Sequence, residues 1–341
     1  MTSEDSIGRL RLAALRLVGE RFPTVREAAR WLGAAQGQDL PGALQSLAMR
    51  AEGGSTDAVR AAFDAGEIVR SWPMRGTYHV VAAEDLAWML PLGTPRPLAA
   101  AATRRAGLGL TDATVEAARE VTVEALAGGR RLTRGELVAT WADAGFTAGG
   151  KPLGGGPATH TLSVLAQTGT LCYGPFATPK EQALVLLDEW VPTPRRPSRE
   201  EALVEWALRY LRSHGPASTA DYARWTGMPM EDVRLGVEGA RPHLEEIGDE
   251  LLMDPATPDR LAAGRSEADG ELLLPGFDEF VLGYRDRSHV LDEEHADRIV
   301  PGNNGMFRPT VVVGGRVVGT WARAGSGRNA RVERSLFAAS P

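Results

Sequence analysis

Along the first fifty positions, apolar residues recur at the three- and four-residue spacing of helices that bury one face. Ile7, Leu10, Leu12, Ala14, Leu15 and Val18 fall mostly on one side of a helix predicted over 6–19. Thr24 and Glu27 form a capping-box pair that opens a second helix to about Leu32. Asp39 stands ahead of a third helix, with Pro41 in its first turn, running to about Ala51. Thr56-Asp57 opens a fourth. The period then changes from 3.6 to 2: residues 67–72 and 77–82 read as two strands joined through Pro73-Met74-Arg75-Gly76. Helices followed by a strand–turn–strand hairpin describe a winged helix, the helix-turn-helix variant whose hairpin forms the wing.

The pattern recurs. Helices are predicted over 111–126, from the capping box Thr133/Glu136, and over 157–168, followed by strands near 171–173 and 183–187. A proline-rich linker, 191–197, precedes helices that start at Ser198, with strands near 244–253. The segments Thr24-x2-Glu27-x-Ala29-Arg30-Trp31-x-Gly33 and Ser218-x2-Asp221-x-Ala223-Arg224-Trp225-x-Gly227 share cap, acid, Ala-Arg-Trp and terminal glycine at one spacing. The middle module keeps Thr133, Glu136 and a displaced Trp141. Residues 271–274, 309–313 and 316–321 are strand-like, with Gly314-Gly315 as a hairpin turn. That is too many strands for one wing, and 325–341 are expected to be partly frayed. The predicted fold is mainly α with β wings, an α+β chain of three tandem winged-helix modules plus a small C-terminal β-barrel or sheet. Its segments are 1–92, 93–190, 198–264 and 265–341.

Bulk properties narrow this little. The 341 residues are 43% hydrophobic and 24% charged, within the globular range. No run approaches the ~20 apolar residues of a membrane span. The charged N-terminus lacks the apolar core of a secretory signal. A lone cysteine, Cys172, rules out an internal disulfide and fits a reducing, cytoplasmic setting. The net charge of -6 sits awkwardly with nucleic acid. Yet residues 1–92 carry ten basic and eleven acidic side chains and 93–190 carry nine of each, so the deficit lies in 191–341. Charge therefore argues for a small contact set, not against DNA. All basic residues but Lys151 and Lys180 are arginines.

Four strings then stand out: WLGAAQGQDLPGAL (31–44), SWPMRGTYHVV (71–81), LLPGFDEFVLGYRDRS (273–288) and FRPTVVVGGRVVGTW (307–321). On these the chain, over nearly its whole length, resembles the bacterial winged-helix DNA glycosylases of the AlkZ and YcaQ type. The resemblance implies tandem winged helices, a C-terminal β-barrel and a C-shaped body that takes duplex DNA. It also implies hydrolysis of the N-glycosidic bond of N7-alkylguanine and similar adducts, interstrand crosslinks in some members, in DNA repair or self-resistance. The family's catalytic signature, glutamine, an aliphatic residue, then glutamine or aspartate, falls on Gln36-Gly37-Gln38, with Gly37 in place of the aliphatic residue.

In an extended segment, residues i and i+2 point the same way, so Gln36 and Gln38 would present two carboxamides on one face. Together they can hold a water and aim it at C1′ of a deoxyribose. A neutral amide does not titrate usefully, so such a pair supplies little general-base catalysis. Alkylation at N7 leaves guanine cationic, and such a base departs without acid. What remains is water positioning and stabilisation of an oxocarbenium-like state. The bland alternative makes both glutamines polar loop residues between helices.

Further candidates carry two readings each. Arg75 flanks the first wing turn and can reach a phosphate. His79 either meets DNA or the sugar, or hydrogen-bonds inside its module. His160 either faces the cleft or is a satisfied core or surface histidine. Lys180, at the tip of the second hairpin, either enters a groove or is solvated. Asp278, Glu279, Arg285, Asp286 and Arg287 offer paired carboxylates, or an ion network holding the C-terminal segment to the third module; the second reading is favoured. His289, Asp292 and His295 lack a recognised metal-ligand spacing. The glycines at 149–150 and 154–156 lack a phosphate-loop ending.

The expected function is a monofunctional glycosylase without cofactor or metal, working as a monomer on double-stranded DNA that carries alkylated purines. The main alternative is a non-catalytic winged-helix transcriptional regulator; a protein-interaction scaffold is a third.

Overall fold

The computed structural model describes residues 6–248, 250–325 and 331–337. About half of these are helical, and the chain is a mixed α/β protein. It divides into two compact units. One comprises 1–56, 203–225 and 229–341; the other comprises 57–202 and 226–228.

Local signals placed the helices of the first unit. Ser6 caps Ile7–Ala14. The helix ends earlier than the predicted 19 because Arg16 turns to φ 54°, where its guanidinium lies over Phe22 and Trp31. Thr24 and Glu27 close a full capping box on Val25–Leu32, and Gly33, at φ 77°, ends it. Ser218 and Asp221 bond reciprocally at the start of Thr219–Thr226, ended by Gly227 at φ 71°. The repeated motif thus has a repeated local geometry. Residues 40–48 form the helix Leu40–Ala48, with Asp39 at the N-cap position and no side-chain cap bond. The C-terminal strands form an antiparallel sheet in the order Glu271–Leu274, Thr310–Val313, Arg316–Ala324, Arg331–Leu336. The expected barrel is corrected: the first and last of these strands are edges and do not pair, so among the described residues the sheet is open. Four strands are too few to close around a filled interior. Of the stretch expected to fray, 331–336 is a strand; 326–330 and 338–341 lie outside the described residues.

In the second unit, Arg75 (φ 55°) and Gly76 (φ 67°) make the tight turn between Ile68–Met74 and Thr77–Ala82. Both central residues at positive φ match the twist a two-residue hairpin needs. The second hairpin, Leu171–Thr178 and Glu181–Leu186, is longer than predicted and turns at Pro179-Lys180. The two hairpins are not separate wings. They join side by side through Arg70 and Tyr173, giving the order 77–82, 68–74, 171–178, 181–186 within one sheet. Joining them removes two exposed strand edges. A core of Trp72, Trp141, Leu162, Leu165 and Leu184 packs against this sheet. Among the described residues, no helix is long and apolar enough to cross a membrane.

Candidate functional site

The chemistry-bearing loop of the first unit follows Gly33. Residues Ala35–Gln36 are extended, and the chain re-enters a helix at Leu40. Gln36 is buried, while Gln38 is exposed. The Gln36 Oε1 accepts from the backbone N–H of Gly37 at 2.9 Å and of Gln38 at 3.0 Å. Two donors on one atom fix the amide's orientation: the oxygen faces the loop, and the Nε2 hydrogens point away from it. The two glutamines are therefore not equivalent. Gln36 braces the loop and offers donors; the Gln38 side chain is exposed and has no hydrogen-bond partner among the described residues.

Behind the loop lie two buried carboxylates from the segment 273–288. Asp278 receives Arg50 Nη1 and Nη2, both at 2.9 Å, Ser46 Oγ at 2.7 Å and the Phe280 N–H at 3.0 Å. Burial pushes its carboxyl up, but Arg50 and these hydrogen bonds outweigh it and hold the group below the usual carboxylate range. Glu279 Oε1 accepts the backbone N–H of Gln36 at 2.8 Å. Its Oε2 accepts Trp225 Nε1 at 3.0 Å and His214 Nε2 at 3.3 Å. The segment approaches closely because Gly42 lacks a side chain: a Cβ there would lie 2.9 Å from the Gly276 carbonyl oxygen. Beside the glutamines, burial raises the carboxyl of half-buried Asp39 above its ordinary value, against a backbone hydrogen bond from Gly42.

The charge cluster read from the sequence thus splits. Asp278 and Glu279 turn inward; Arg285 and Asp286 are exposed and donate their backbone N–H groups to Asp221 Oδ1. The network's principal partner is Arg50 of the N-terminal segment rather than an arginine of the cluster. The sequence did carry a signal: two acids inside the apolar run LLPGFDEFVLGY must be buried, and buried acids need partners. His295 packs on the Phe337 ring and Asp292 pairs with Arg316. Among the described residues no three His, Cys, Asp or Glu side chains come together as a metal site.

The second unit gathers the other candidates. His79 is fully buried, with Nδ1–H donating to the Thr77 carbonyl at 3.0 Å and Nε2 accepting from Arg75 at 3.1 Å. Burial and the Arg75 charge hold its pKa well below the ordinary value, so the ring is neutral. Direct contact of His79 with DNA does not fit this geometry, because the ring is enclosed and both nitrogens are engaged; it orients Arg75 instead. Arg75 and His160 line one cavity of about 470 Å³, with Trp72, Arg104, Thr159 and Gln167 on its walls. Among the described residues, none lining it is acidic. Burial, then Arg105 and Arg104, lower the His160 pKa. Lys180 is exposed at the hairpin tip.

A family model described as DNA glycosylase AlkZ-like matches residues 29–340. An interstrand DNA cross-link repair glycosylase of Streptomyces sahachiroi is 29% identical, over 74% of this chain and 70% of that protein. The solved structure of the Streptomyces sahachiroi DNA glycosylase AlkZ superposes with a TM-score of 0.78 at 24% identity. It covers 98% of this chain and 91% of the other, a likeness of fold.

Proposed function

The chain belongs to the AlkZ-like DNA glycosylase family, and from that premise we propose that it hydrolyses the N-glycosidic bond of cationic N7-alkylpurines through Gln36 and Gln38. The observation that carries this reading is the fixed orientation of the Gln36 carboxamide. Its outward hydrogens can donate to the oxygen of a water, while the exposed Gln38 carbonyl accepts a hydrogen from it. A water held between a donor and an acceptor has one remaining lone pair to aim at C1′. Neither amide can protonate a leaving base. Normal purines, which need that proton, are spared; a base already cationic leaves on its own. The carboxylate of Asp39, next in the chain, stands ready to stabilise positive charge on the sugar.

Bulky adducts and interstrand crosslinks belong to the same proposal, supported by the name of the Streptomyces relative. Phosphate contacts are assigned to Arg75 and Arg104, with His160 lining the same cavity, and to Lys180 at the hairpin tip. A cavity wall without carboxylates supports this assignment. Repeated capped helices, each set followed by a hairpin, support the tandem-module reading of 1–92, 93–190 and 198–264, with the first two hairpins sharing one sheet; action as a monomer in the cytoplasm belongs to the same proposal.

The test is mass spectrometry of bases released from duplexes treated with a panel of methylating, bulky and bifunctional alkylators. Release of N7-alkylpurines by the wild type, lost in Gln38→Ala, is expected. Undiminished release by the Gln36→Ala/Gln38→Ala double variant would overturn the assignment.

A further inference from the structure

We infer that Glu279 is a positioning residue for the Gln36–Gln38 loop, fixing the backbone from which both carboxamides project; this rests on the reading of those glutamines as catalytic. Three successive backbone N–H groups define the loop's shape. Those of Gly37 and Gln38 are taken by the Gln36 side chain, and that of Gln36 by Glu279. The carboxylate is itself tied from behind: Trp225 and His214 hold Oε2, leaving Oε1 for the loop. His214 is in turn fixed. It is fully buried, stacks on Tyr210 with centroids 4.5 Å apart, and has Ser213 Oγ 2.7 Å from Nδ1. Gly283 allows that placement, since a Cβ there would lie 2.6 Å from the His214 ring.

The chain's own departure at the motif explains the arrangement. An aliphatic residue between the two glutamines would stiffen the loop by packing; Gly37 cannot, and has the widest backbone freedom of any residue. A hydrogen bond from the Gln36 N–H to a rigid, buried acceptor replaces that packing. Keeping a carboxylate 1% exposed is costly unless its oxygens are met, and here one oxygen is met by the loop itself. Glu279 does not face the substrate, so its effect runs through the reach of Oε1 to the Gln36 N–H, and not through charge at the reacting atoms.

Two substitutions separate reach from charge. Glu279→Asp keeps the charge but retracts the oxygens by one methylene. Glu279→Gln keeps the reach of Oε1 to the Gln36 N–H; the His214 ring can carry its proton on Nδ1 so that Nε2 accepts from the new amide, and the cost is the Trp225 N–H, which loses its acceptor. Three quantities are measured in the full chain: the single-turnover rate of base release at saturating enzyme, the affinity for alkylated duplex, and amide exchange of the 35–39 segment. The expected result is a fall of about 100-fold in rate for Glu279→Asp, unchanged affinity, faster exchange, and a rate for Glu279→Gln well above that of Glu279→Asp. Wild-type rates in both, the reverse order, or a loss confined to affinity would each overturn the inference. Should a variant fail to fold, Trp225→Phe removes one anchor of Glu279 while leaving it in place. A fall in rate at constant affinity is then expected, and a wild-type rate would overturn the idea. If the wild type releases no base from any alkylated duplex, the proposed function fails, and exchange alone decides: equal exchange in the wild type and Glu279→Asp refutes the positioning role.

Discussion

Substituting Gln36 and Gln38 one at a time should separate stability from activity, because the two carboxamides differ in what they hold. Gln36→Ala strips the acceptor from two backbone N–H groups at once. A hydrogen bond of this kind contributes about 0.5–1.5 kcal/mol net, more when the orphaned donor stays buried. With Gly37 buried and Gln38 N part-buried, the expected loss is about 2 kcal/mol. In a unit of this size that lowers Tm by about 4–8 °C. Gln38→Ala removes an exposed side chain and should change stability by less than about 0.5 kcal/mol. Both variants should lose base release. Gln36→Glu provides the control: its carboxylate can accept both N–H groups, so stability stays near wild type, while the outward donors disappear and release falls. Scanning calorimetry beside a base-release assay reads all three. Equal melting of Gln36→Ala and Gln38→Ala would refute the brace, and with it the division of labour between the two residues.

Three further outcomes follow from the geometry. Asp278→Asn leaves the Arg50 guanidinium buried without a counter-charge, the two side chains being 2% and 0% exposed, and should cost about 3–5 kcal/mol in urea unfolding; a loss under about 1 kcal/mol would show the pair to be incidental. His79 has a depressed folded pKa, so it adds stability that is complete above its unfolded pKa and lost as pH falls through and below about 6.5; His79→Gln should flatten the decline in stability between about pH 6.5 and 5 by up to about 1.4 kcal/mol per pH unit, and an unchanged slope would place the proton elsewhere. Arg104→Ala and Lys180→Ala should each reduce the salt dependence of duplex binding by a slope of about 0.9, uniformly across sequences, whereas an unchanged slope would remove that cation from the DNA contact set.

What the sequence made legible was chemistry that closes within a few residues. The capping pairs read at Thr24/Glu27, Thr133/Glu136 and Ser218/Asp221 all form, and the helix start read at Ser198 has the same pairing with Glu201, because a hydroxyl and a carboxylate three residues apart satisfy each other whatever surrounds them. The first hairpin turn was legible only to within residues 73–76: Pro73 and Met74 extend the strand, and Arg75-Gly76 alone make the turn. The unread parts are long-range. Nothing local tells Asp278 that its partner is Arg50, or Glu279 that it will hold the Gln36 amide. Each strand pattern of a hairpin specifies its own partner but not the neighbouring hairpin, so the Arg70–Tyr173 join was missed. A strand count likewise cannot distinguish an open sheet from a closed one, which is where the barrel expectation failed.

The acidic balance, the chief objection to a DNA enzyme in the sequence, weakens once the arginines are followed to their partners. Arg9, Arg21, Arg50, Arg195, Arg316 and Arg334 are engaged with Asp269, Glu267, Asp278, Asp85, Asp292 and Glu271. Those pairs are nearly neutral at a distance, so the net of -6 measures carboxylates scattered elsewhere rather than the field at a binding surface. The cavity bearing Arg75 and Arg104 has no acid on its wall among the described residues, and local sign is what a phosphate meets within a Debye length of about 8–10 Å. At the glutamine loop the preference reverses. On the proposed chemistry both the departing purine and the sugar carry positive charge, so arginines there would oppose the reaction. The ionisable groups there include Asp39, Glu279 and an Asp278 already neutralised by Arg50. If, as proposed, phosphates meet the Arg75–Arg104 cavity and a cation forms at the glutamine loop, neither role requires the chain to be basic overall.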